Sequence, residues 1–223
     1  MANIDSQPVR LDTPGPYTRA QLHLLWESPL PTPCKLDGFF VDVLERRRSA
    51  ETFAPIAVGE LAACLHYTSA LRAVNSEDPN RQRRYVASFG ALHPSHILLG
   101  SPEGAWSVYV PERHALAGVR VDDDVAAALR TRAQQCFLTR DATLIALLGN
   151  VDLAAHYYLN PLPLMLRDAG VLLGHAALVA AALGLAFRIL GSTGTPILER
   201  LIPDLPFTPF ATGLAWLGGR GVD

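Results

Sequence analysis

Apolar residues along the chain follow two spacings, one helical and one extended, and the two alternate without a regular order. Apolar positions three and four residues apart predict helices at residues 40–47, 58–67, 124–136, 142–148, 152–159 and 196–201. Runs of β-branched and aromatic residues predict strands at 96–100, 105–110, 136–139, 186–190 and 210–217. The turn at 101–104 joins the first two strands as a hairpin. The pattern therefore predicts an α+β fold with a central antiparallel-type sheet flanked by helices, not a regular βαβ series.

The first 38 residues are rich in proline and turn-forming residues, including Pro14-Gly15-Pro16, Pro29, Pro31 and Pro33. This composition predicts an extended N-terminal arm with short pieces of structure. We therefore divide the chain into an arm at 1–38 and a folded domain at 39–223. Within the domain, residues 75–84 are polar and charged, which predicts a loop.

One long apolar segment, residues 169–187, has His175 as its polar residue. A helix that is apolar on all sides either spans a membrane or is buried within protein. Many of its residues are the weakly hydrophobic Ala and Gly, charged residues flank it closely, and no second such segment exists. We therefore predict a buried helix and no membrane association. Its small residues indicate close helix packing, including packing across a subunit interface.

Composition narrows the class of protein. The chain is 49% hydrophobic and 18% charged, which is typical of a packed globular protein. Nineteen basic and 21 acidic residues give a net charge of −2, so a broad nucleic-acid-binding surface is not expected. Cys34, Cys64 and Cys136 are far apart, which supports neither a disulfide framework nor a cysteine zinc site. The polar N-terminus lacks a signal-peptide stretch, and we expect a cytoplasmic protein.

The common catalytic signatures are missing from the sequence. It has no GxSxG nucleophile motif, no Walker A motif, and no GxGxxG opening a helix after a strand. The glycine-containing segment at 191–194 is best explained as a turn. His93 and His96 have HxxH spacing, but no third ligand accompanies them, so ordinary polar histidines explain them better than a zinc site. We therefore expect no metal.

Two other motifs are better candidates for ligand binding. The segment ERRRS at 45–49 ends a helix with three adjacent guanidiniums, and arginines of this kind bind phosphate bidentately. In the segment ASFGALHP at 87–94, a small flexible turn precedes a strand, and its glycine allows close approach to a flat ligand. Taken alone, the first is better explained as a solvated basic patch, and the second as an ordinary loop.

Taken in order, RRRS, SFGALHP and the C-terminal GLAWLGGR resemble the nitroreductase superfamily, and within it the SagB-type dehydrogenases. These enzymes oxidise azoline rings in peptides to azoles. The resemblance covers about residues 40–220. The long helix, which reads LRDAGVLLGH at 166–175, corresponds to the LLEAGH helix of that branch.

The resemblance implies a nitroreductase-like fold and a homodimer that binds FMN between its subunits, with the long apolar helix in the interface. By the family's motif, Arg47 and Ser49 hold the flavin phosphate, and Arg220 reaches it from the C-terminus. Ser88, Phe89 and Gly90 lie against the flavin ring, and the loop at 190–193 is a further ring contact.

The sequence also departs from the family pattern. Glu51 stands where a basic residue is expected, and a carboxylate repels phosphate. Either Arg46 or Arg48 compensates, or FMN binds weakly. In the long helix the family's Glu is Asp168. The His, Gln and Asn that follow it in the family are replaced here at positions 171, 174 and 175, so polar contacts to cofactor or substrate have changed.

The family's catalytic Lys-Tyr pair falls at His156-Tyr157 when counted back from Asp168. Histidine suits the role of base because its ordinary pKa lies near neutral pH. The alternatives are a polar helix face without a catalytic role, or Tyr158 as the catalytic tyrosine.

The leading hypothesis is an FMN-dependent dehydrogenase that oxidises a C–N or C–C bond in a small-molecule or peptide-derived natural-product substrate. One alternative is a nitro- or quinone-reductase fed by NAD(P)H. A more distant one is a non-catalytic partner subunit that has lost FMN.

Overall fold

The computed structural model describes residues 7–12 and 14–221. The arm predicted at 1–38 therefore lies partly outside the described residues, as do the last two residues of the domain predicted at 39–223. Within the described part, five α-helices surround one large antiparallel sheet. This architecture confirms the predicted α+β class.

The helices are α1 (Phe40–Arg46), α2 (Val58–Ser69), α3 (Asp123–Cys136), α4 (Val151–Tyr157) and α5 (Leu162–Ala182). The strands are β1 (Val9–Arg10), β2 (Leu24–Pro29), β3 (Phe53–Ala54), β4 (Leu71–Val74), β5 (Gln82–Arg84), β6 (Ser95–Gly100), β7 (Trp106–Val110), β8 (Ala115–Val119), β9 (Thr143–Asn150), β10 (Tyr158–Leu159), β11 (Ala186–Ile189) and β12 (Pro209–Arg220). Short 3₁₀ turns lie at Phe89–Ala91 and Leu198–Arg200.

The main sheet has the order β11-β12-β9-β6-β7-β8-β2, and all its pairings are antiparallel. The predicted hairpin is confirmed, since β6 pairs with β7 and Leu98 lies opposite Val108. The short strand β3 pairs with the C-terminal end of β12, which sets Arg220 opposite Phe53. The C-terminal end of β12 therefore lies beside the loop that follows α1.

The sheet is buried on both faces, and β9 shows this most clearly. Leu144 and Leu148 pack on one face with residues of α3, while Ile145 and Leu147 pack on the other with residues of α2 and α5. The helix predicted at 142–148 is therefore wrong. A strand buried on both faces is a continuous apolar run, and spacing alone does not distinguish it from a buried helix.

Two boundary predictions also fail. The strand predicted at 136–139 is absent, because Cys136 is the last residue of α3 and residues 137–142 are irregular. The carbonyl of Phe137 accepts a hydrogen bond from the Trp216 indole at 3.0 Å, so a side chain and not a strand partner satisfies it. The helix predicted at 152–159 ends at Tyr157, and its last two residues instead form β10, which pairs with β1.

Helix α5 contains only part of the long apolar segment. It ends at Ala182, and Gly184, two residues later, has a φ of +71°. The Leu185 N–H donates to the Ala180 carbonyl at 2.8 Å and the Gly184 N–H to the Ala181 carbonyl at 3.3 Å, which is a Schellman motif. The chain then enters β11. Because glycine adopts this conformation without a Cβ penalty, the helix stops there despite the apolar residues that follow.

One face of α5 packs on the sheet and on α2, where His175 Nε2 donates to the Tyr67 carbonyl at 2.9 Å. The other face exposes Arg167, Gly170 and Val171. Within the described residues, α5 is the one helix whose length and composition would allow it to cross a membrane. A core helix of a soluble protein meets the same criterion, so this is weak evidence of membrane spanning.

The described part of the arm lies against the domain. Its strand β1 pairs with β10, and β2 is the edge strand of the main sheet beside β8. Between them, Leu22 is buried in the core with Ala20 and Leu24 packed around it. The arm therefore forms one wall of the folded molecule.

Candidate functional site

A surface pocket of about 420 Å³ lies where the loop after α1 meets the end of α5 and the end of β12. We call it the basic pocket; its polar lining residues are Arg46, Arg48, Ser49, Glu51, Thr52 and Arg220. The Ala50 N–H donates to the Phe187 carbonyl at 3.0 Å, which fixes the loop to β11. The pairing of β3 with β12 brings Arg220 to the same place.

The basic pocket brings together two of the three residues predicted to hold a phosphate, Ser49 and Arg220. The third, Arg47, does not line it, although both of its neighbours do. Arg47 has an extended backbone conformation, in which successive side chains point to opposite sides. The arginines at 46 and 48 therefore face the pocket.

Three guanidiniums and one carboxylate give the basic pocket a net positive charge. Its floor is the small-residue end of α5, Ala177, Ala181 and Gly184, which leaves room for a ligand group. The C-terminal end of a helix carries partial negative charge, so the attraction for an anion must come from the arginines. These side chains are exposed, and salt therefore weakens that attraction.

The second predicted element, which we call the 88–90 turn, lies at the other half of α5. Gly90 has a φ of +56°, and a Cβ there would lie 2.9 Å from the Tyr158 hydroxyl oxygen. The Gly90 carbonyl accepts a hydrogen bond from Arg81 Nη1 at 2.9 Å. Ser88 Oγ accepts one from the His93 N–H at 2.9 Å. Side chains from both flanks thus hold the turn in one conformation.

Asp168 fastens the 88–90 turn to α5. Its carboxylate accepts a hydrogen bond from the Phe89 N–H at 3.0 Å. Burial raises the pKa of Asp168 to about 6, against the opposing effects of the Ser88 hydroxyl, the Phe89 N–H and Arg84. A carboxyl group that titrates near neutral pH therefore sits directly behind the turn.

The basic pocket and the 88–90 turn of one chain lie far apart along α5. Thirteen residues separate Asp168 from Ala181, which at 1.5 Å per residue is about 20 Å.

The predicted catalytic pair lies at neither place. His156 Nε2 is 2.7 Å from the Gly15 carbonyl, and its ring stacks on Tyr17 at a centroid distance of 4.9 Å. The buried Tyr157 donates to the Asp78 carboxylate, 2.9 Å from each oxygen, and accepts from Asn80 Nδ2 at 3.2 Å. Burial raises the pKa of Tyr157, so its hydroxyl keeps its proton.

Tyr157 lines a pocket of about 440 Å³ between the arm and the loop at 77–80. Tyr158, the alternative catalytic tyrosine, lies instead on the 88–90 turn. Its ring meets the ring of Phe89 edge-on at 5.5 Å, and its hydroxyl lies against Gly90. Of the three residues at 156–158, Tyr158 is therefore the one whose side chain contacts the turn.

No protein-family model matches the chain, and no curated protein matches its sequence. Solved structures do match. A protein from Ralstonia eutropha JMP134, provisionally assigned as a nitroreductase, aligns with a TM-score of 0.67 and 18% identity, covering 98% of this chain and 100% of that one. The chain has a nitroreductase-like fold. This confirms the fold expected from the SFGALHP and RRRS motifs.

Two further solved structures align with the chain. One is a chain of the Escherichia coli microcin synthetase McbBCD complex with truncated pro-MccB17 bound, which aligns with a TM-score of 0.58 and 18% identity over 79% of this chain and 70% of that one. The other comes from Desulfovibrio desulfuricans, is provisionally assigned as a nitroreductase, and was crystallised in complex with FMN. It aligns with a TM-score of 0.51 and 13% identity, over 84% of this chain and 92% of that one.

Several residues of this nitroreductase-like fold were not predicted as functional. Arg19 and Arg84 line a large cavity beneath the arm, and Asp78 and Asn80 hold Tyr157. Nothing in their spacing marks them, because they fall in segments predicted as arm and loop, where polar residues are expected to be solvated. For the catalytic tyrosine, the one signal in the sequence is the pair of tyrosines at 157–158, which makes Tyr158 an alternative to Tyr157.

Proposed function

We propose that the chain is an FMN-dependent oxidoreductase that works as a homodimer and oxidises a C–N or C–C bond in a peptide-derived or natural-product substrate. The observation that carries the proposal is the basic pocket, in which Ser49 and Arg220 come together with Arg46 and Arg48 on a nitroreductase-like fold. A structure of the same fold holds FMN, and another holds truncated pro-MccB17, which favours a peptide-derived substrate.

The basic pocket fits a terminal phosphate in charge and in donors. Three guanidiniums outnumber the one carboxylate, Glu51, and the Ser49 hydroxyl supplies a neutral donor. The 88–90 turn, held in one conformation by Arg81, Tyr158 and Asp168, supplies the surface proposed for the flavin ring. When bound, the flavin supplies the hydride chemistry, and the protein orients the substrate and handles the proton.

Two residues are candidates for the catalytic base in this proposal, His156 and Tyr158. In His156, Nε2 faces the Gly15 carbonyl and therefore donates to it, so Nδ1 is the atom that could accept a proton from a substrate. Contact with the 88–90 turn favours Tyr158 as the second candidate, since its hydroxyl is beside Gly90. Tyr157 serves in this proposal as a positioning residue, because Asp78 and Asn80 hold its hydroxyl.

The homodimer is proposed from the exposed face of α5. Val171 is 49% exposed, and the neighbouring helix α1 exposes Phe40, Val41 and Leu44. An apolar surface of this kind marks a protein interface. Antiparallel pairing of α5 also explains how a phosphate site and a ring site about 20 Å apart in one chain could serve a single cofactor. We further propose a cytoplasmic protein, in keeping with its three unpaired cysteines.

The test is FMN binding to the purified full chain, followed by absorbance and by quenching of flavin fluorescence. We expect a yellow protein, and we expect Ser49→Ala and Arg220→Met each to weaken FMN binding by about tenfold, the cost of one charge-assisted hydrogen bond. Arg132→Met, at an exposed position of α3, is the matched control and should bind FMN normally. A colourless protein that takes up no FMN would contradict the proposal.

A yellow protein then separates the two enzymatic alternatives. Rapid bleaching by NADH without another substrate favours a reductase, whereas a flavin that stays oxidised in NADH supports the dehydrogenase. Replacing Tyr158 by Phe and His156 by Ala, with FMN binding retained, identifies the base as the residue whose loss abolishes substrate oxidation.

A further inference from the structure

A cavity of about 700 Å³ lies between the arm, the end of the main sheet and the loop that leads into β5. Residues 17–22 and Leu24 of the arm form one wall, and β6 and β7 form the opposite wall. The cavity shares no lining residue with the basic pocket. Its volume lies within the range that small-molecule sites occupy. Neither the sequence motifs nor the proposed flavin site accounts for it.

Arg19 places a largely buried positive charge in the wall of this cavity. Its guanidinium donates to the backbone carbonyls of Asn80 at 2.9 Å, His93 at 3.3 Å and Leu92. A guanidinium has five N–H donors, so these bonds leave two. One of them is on Nε, which is buried and has no hydrogen-bond partner among the described residues. A carbonyl is neutral, so none of these bonds compensates the charge.

Arg84 adds a second buried guanidinium, whose side chain is 5% exposed. It donates to Gln82 Oε1 and to Ser69 Oγ, which are both neutral acceptors. Glu112 is 3.7 Å away and is the single carboxylate among the described residues that line the cavity. Burial lowers the pKa of Arg84 to about 10, with Glu112 opposing the shift. The cation is therefore only partly compensated.

Ser95 supplies a second polar atom without a partner. Its Oγ is buried, lines the same cavity, and makes no hydrogen bond within residues 7–12 and 14–221. Buried polar atoms are nearly always hydrogen-bonded, because leaving one unpaired is costly. Two such atoms, Arg19 Nε and Ser95 Oγ, in one cavity with two buried guanidiniums indicate a site for acceptor oxygens that carry negative charge.

The rest of the wall is aromatic and aliphatic, with Tyr17, Tyr109, Leu22, Ile97 and Val108. Burial lowers the pKa values of His93 and His96 to about 3, so both rings are neutral and add no charge. The cavity therefore combines a local excess of positive charge with an apolar surface large enough for a ring or a short chain.

We propose that this cavity binds a small organic carboxylate with an apolar body, its carboxylate held by Arg19 and Arg84 with Ser95, and its body against the aromatic and aliphatic wall. The two oxygens of a carboxylate offer acceptors for the N–H donors that Arg19 and Arg84 leave free and for the Ser95 hydroxyl. The arm forms one wall of the cavity, so the arm is part of the proposed binding site. The site is separate from the flavin site and does not depend on it.

The test is isothermal titration calorimetry of the full chain with benzoate and 3-phenylpropionate, each beside its neutral amide, and with inorganic phosphate. We expect at least one acid to bind about tenfold or more tightly than its amide, since the amide lacks the charge that the guanidiniums need. If acid and amide bind alike, if neither acid binds at millimolar concentration, or if phosphate binds more tightly than both acids, the proposal is wrong.

Three variants test whether the acid binds in this cavity. Arg84→Met should weaken the acid about tenfold, and Glu112→Gln should tighten it several-fold, because it removes the competing carboxylate. Arg83→Met, an exposed neighbour on the same strand, is the matched control and should leave binding unchanged. If Arg84→Met does not fold, Glu112→Gln decides: binding that is not tightened overturns the site, as does an equal loss with Arg83→Met.

Discussion

The Phe89 N–H donates a 3.0 Å hydrogen bond to the carboxylate of Asp168, and this bond joins the 88–90 turn to the N-terminal half of α5. Asp168 also interacts with the Ser88 hydroxyl. One carboxyl group therefore holds two consecutive residues of the turn. The turn is thereby positioned by the same helix that exposes Val171 and Gly170. A change at Asp168 affects the turn and leaves the basic pocket, about 20 Å along the helix, in place.

Asp168→Ala should destabilise the protein by about 1–3 kcal/mol, because it leaves the Phe89 N–H without its acceptor. Asp168→Asn keeps an acceptor oxygen and removes a buried charge, so we expect it to cost clearly less. Urea unfolding of both variants at pH 7.5 measures the difference. Equal losses in the two variants would show that the hydrogen bond contributes nothing.

The sequence predicts those parts of the fold that depend on local contacts. The hairpin of β6 and β7, helices α2 and α3, and the α+β class follow from spacing and turn residues. The helix predicted at 142–148 is a strand, because burial on both faces removes the polar positions that reveal a period of two.

In the candidate site, too, local sequence predicts some residues and not others. Ser88, Phe89 and Gly90 are consecutive and could be predicted as one unit. That Arg220 lies beside Ser49 follows from the pairing of β3 with β12, which no local pattern encodes and which the family resemblance alone implied. Arg19 and Arg84 could not be predicted, because burial of an arginine is rare and nothing in one sequence signals it.

Glu51→Gln should tighten FMN binding by about three- to tenfold at low salt, because it removes a negative charge from the pocket proposed for the phosphate. The gain should shrink as ionic strength rises, since the side chain is exposed. Glu45→Gln is the control, because Glu45 lies on exposed helix α1 and does not line the pocket. Fluorescence titration at two salt concentrations measures both. An equal gain in the control variant would point to overall charge and not to this pocket.

Gly90→Ala should cost about 1–2 kcal/mol of stability, because φ is +56° there and the new Cβ would lie 2.9 Å from the Tyr158 hydroxyl oxygen. In a Tyr158→Phe background the cost should be smaller, since the clashing oxygen is gone. Gly59→Ala is the matched control. Its Cβ meets nothing within 4 Å and it lies in α2, so alanine should be neutral or stabilising. A double-mutant cycle from thermal unfolding tests the coupling, and additive costs contradict the contact.

Val171→Glu should convert the proposed dimer to a monomer, because it places a charge on the exposed apolar face of α5. Leu138→Glu is the matched control, since Leu138 is 71% exposed but follows α3, on the other face of the sheet. Sedimentation velocity on the three proteins measures the oligomeric state. A monomeric wild-type chain, or a dimer that survives Val171→Glu, contradicts the proposed interface.

The protein should lose stability as the pH falls below about 6.5, because His93 and His96 are neutral in the folded state. Burial, with Arg19 and Arg84 nearby, lowers the pKa values of both to about 3, whereas an unfolded histidine has a pKa near 6.5. Between these values the unfolded chain binds more protons, so each histidine contributes a loss of up to about 1.4 kcal/mol per pH unit. The pKa of Asp168 is raised, so between about pH 3.8 and 6 this group stabilises the folded state as the pH falls. The two histidines together outweigh this single carboxyl group.

His96→Phe tests the origin of that loss. Phenylalanine keeps the stacking of residue 96 on Phe207, whose rings lie 5.2 Å apart, and removes one of the two titrating groups. The melting temperature of this variant should therefore fall less steeply than that of the wild type between pH 7.5 and pH 5, in roughly the proportion of one titrating histidine to two. A variant whose melting temperature falls as steeply as the wild type's assigns the acid sensitivity to other groups.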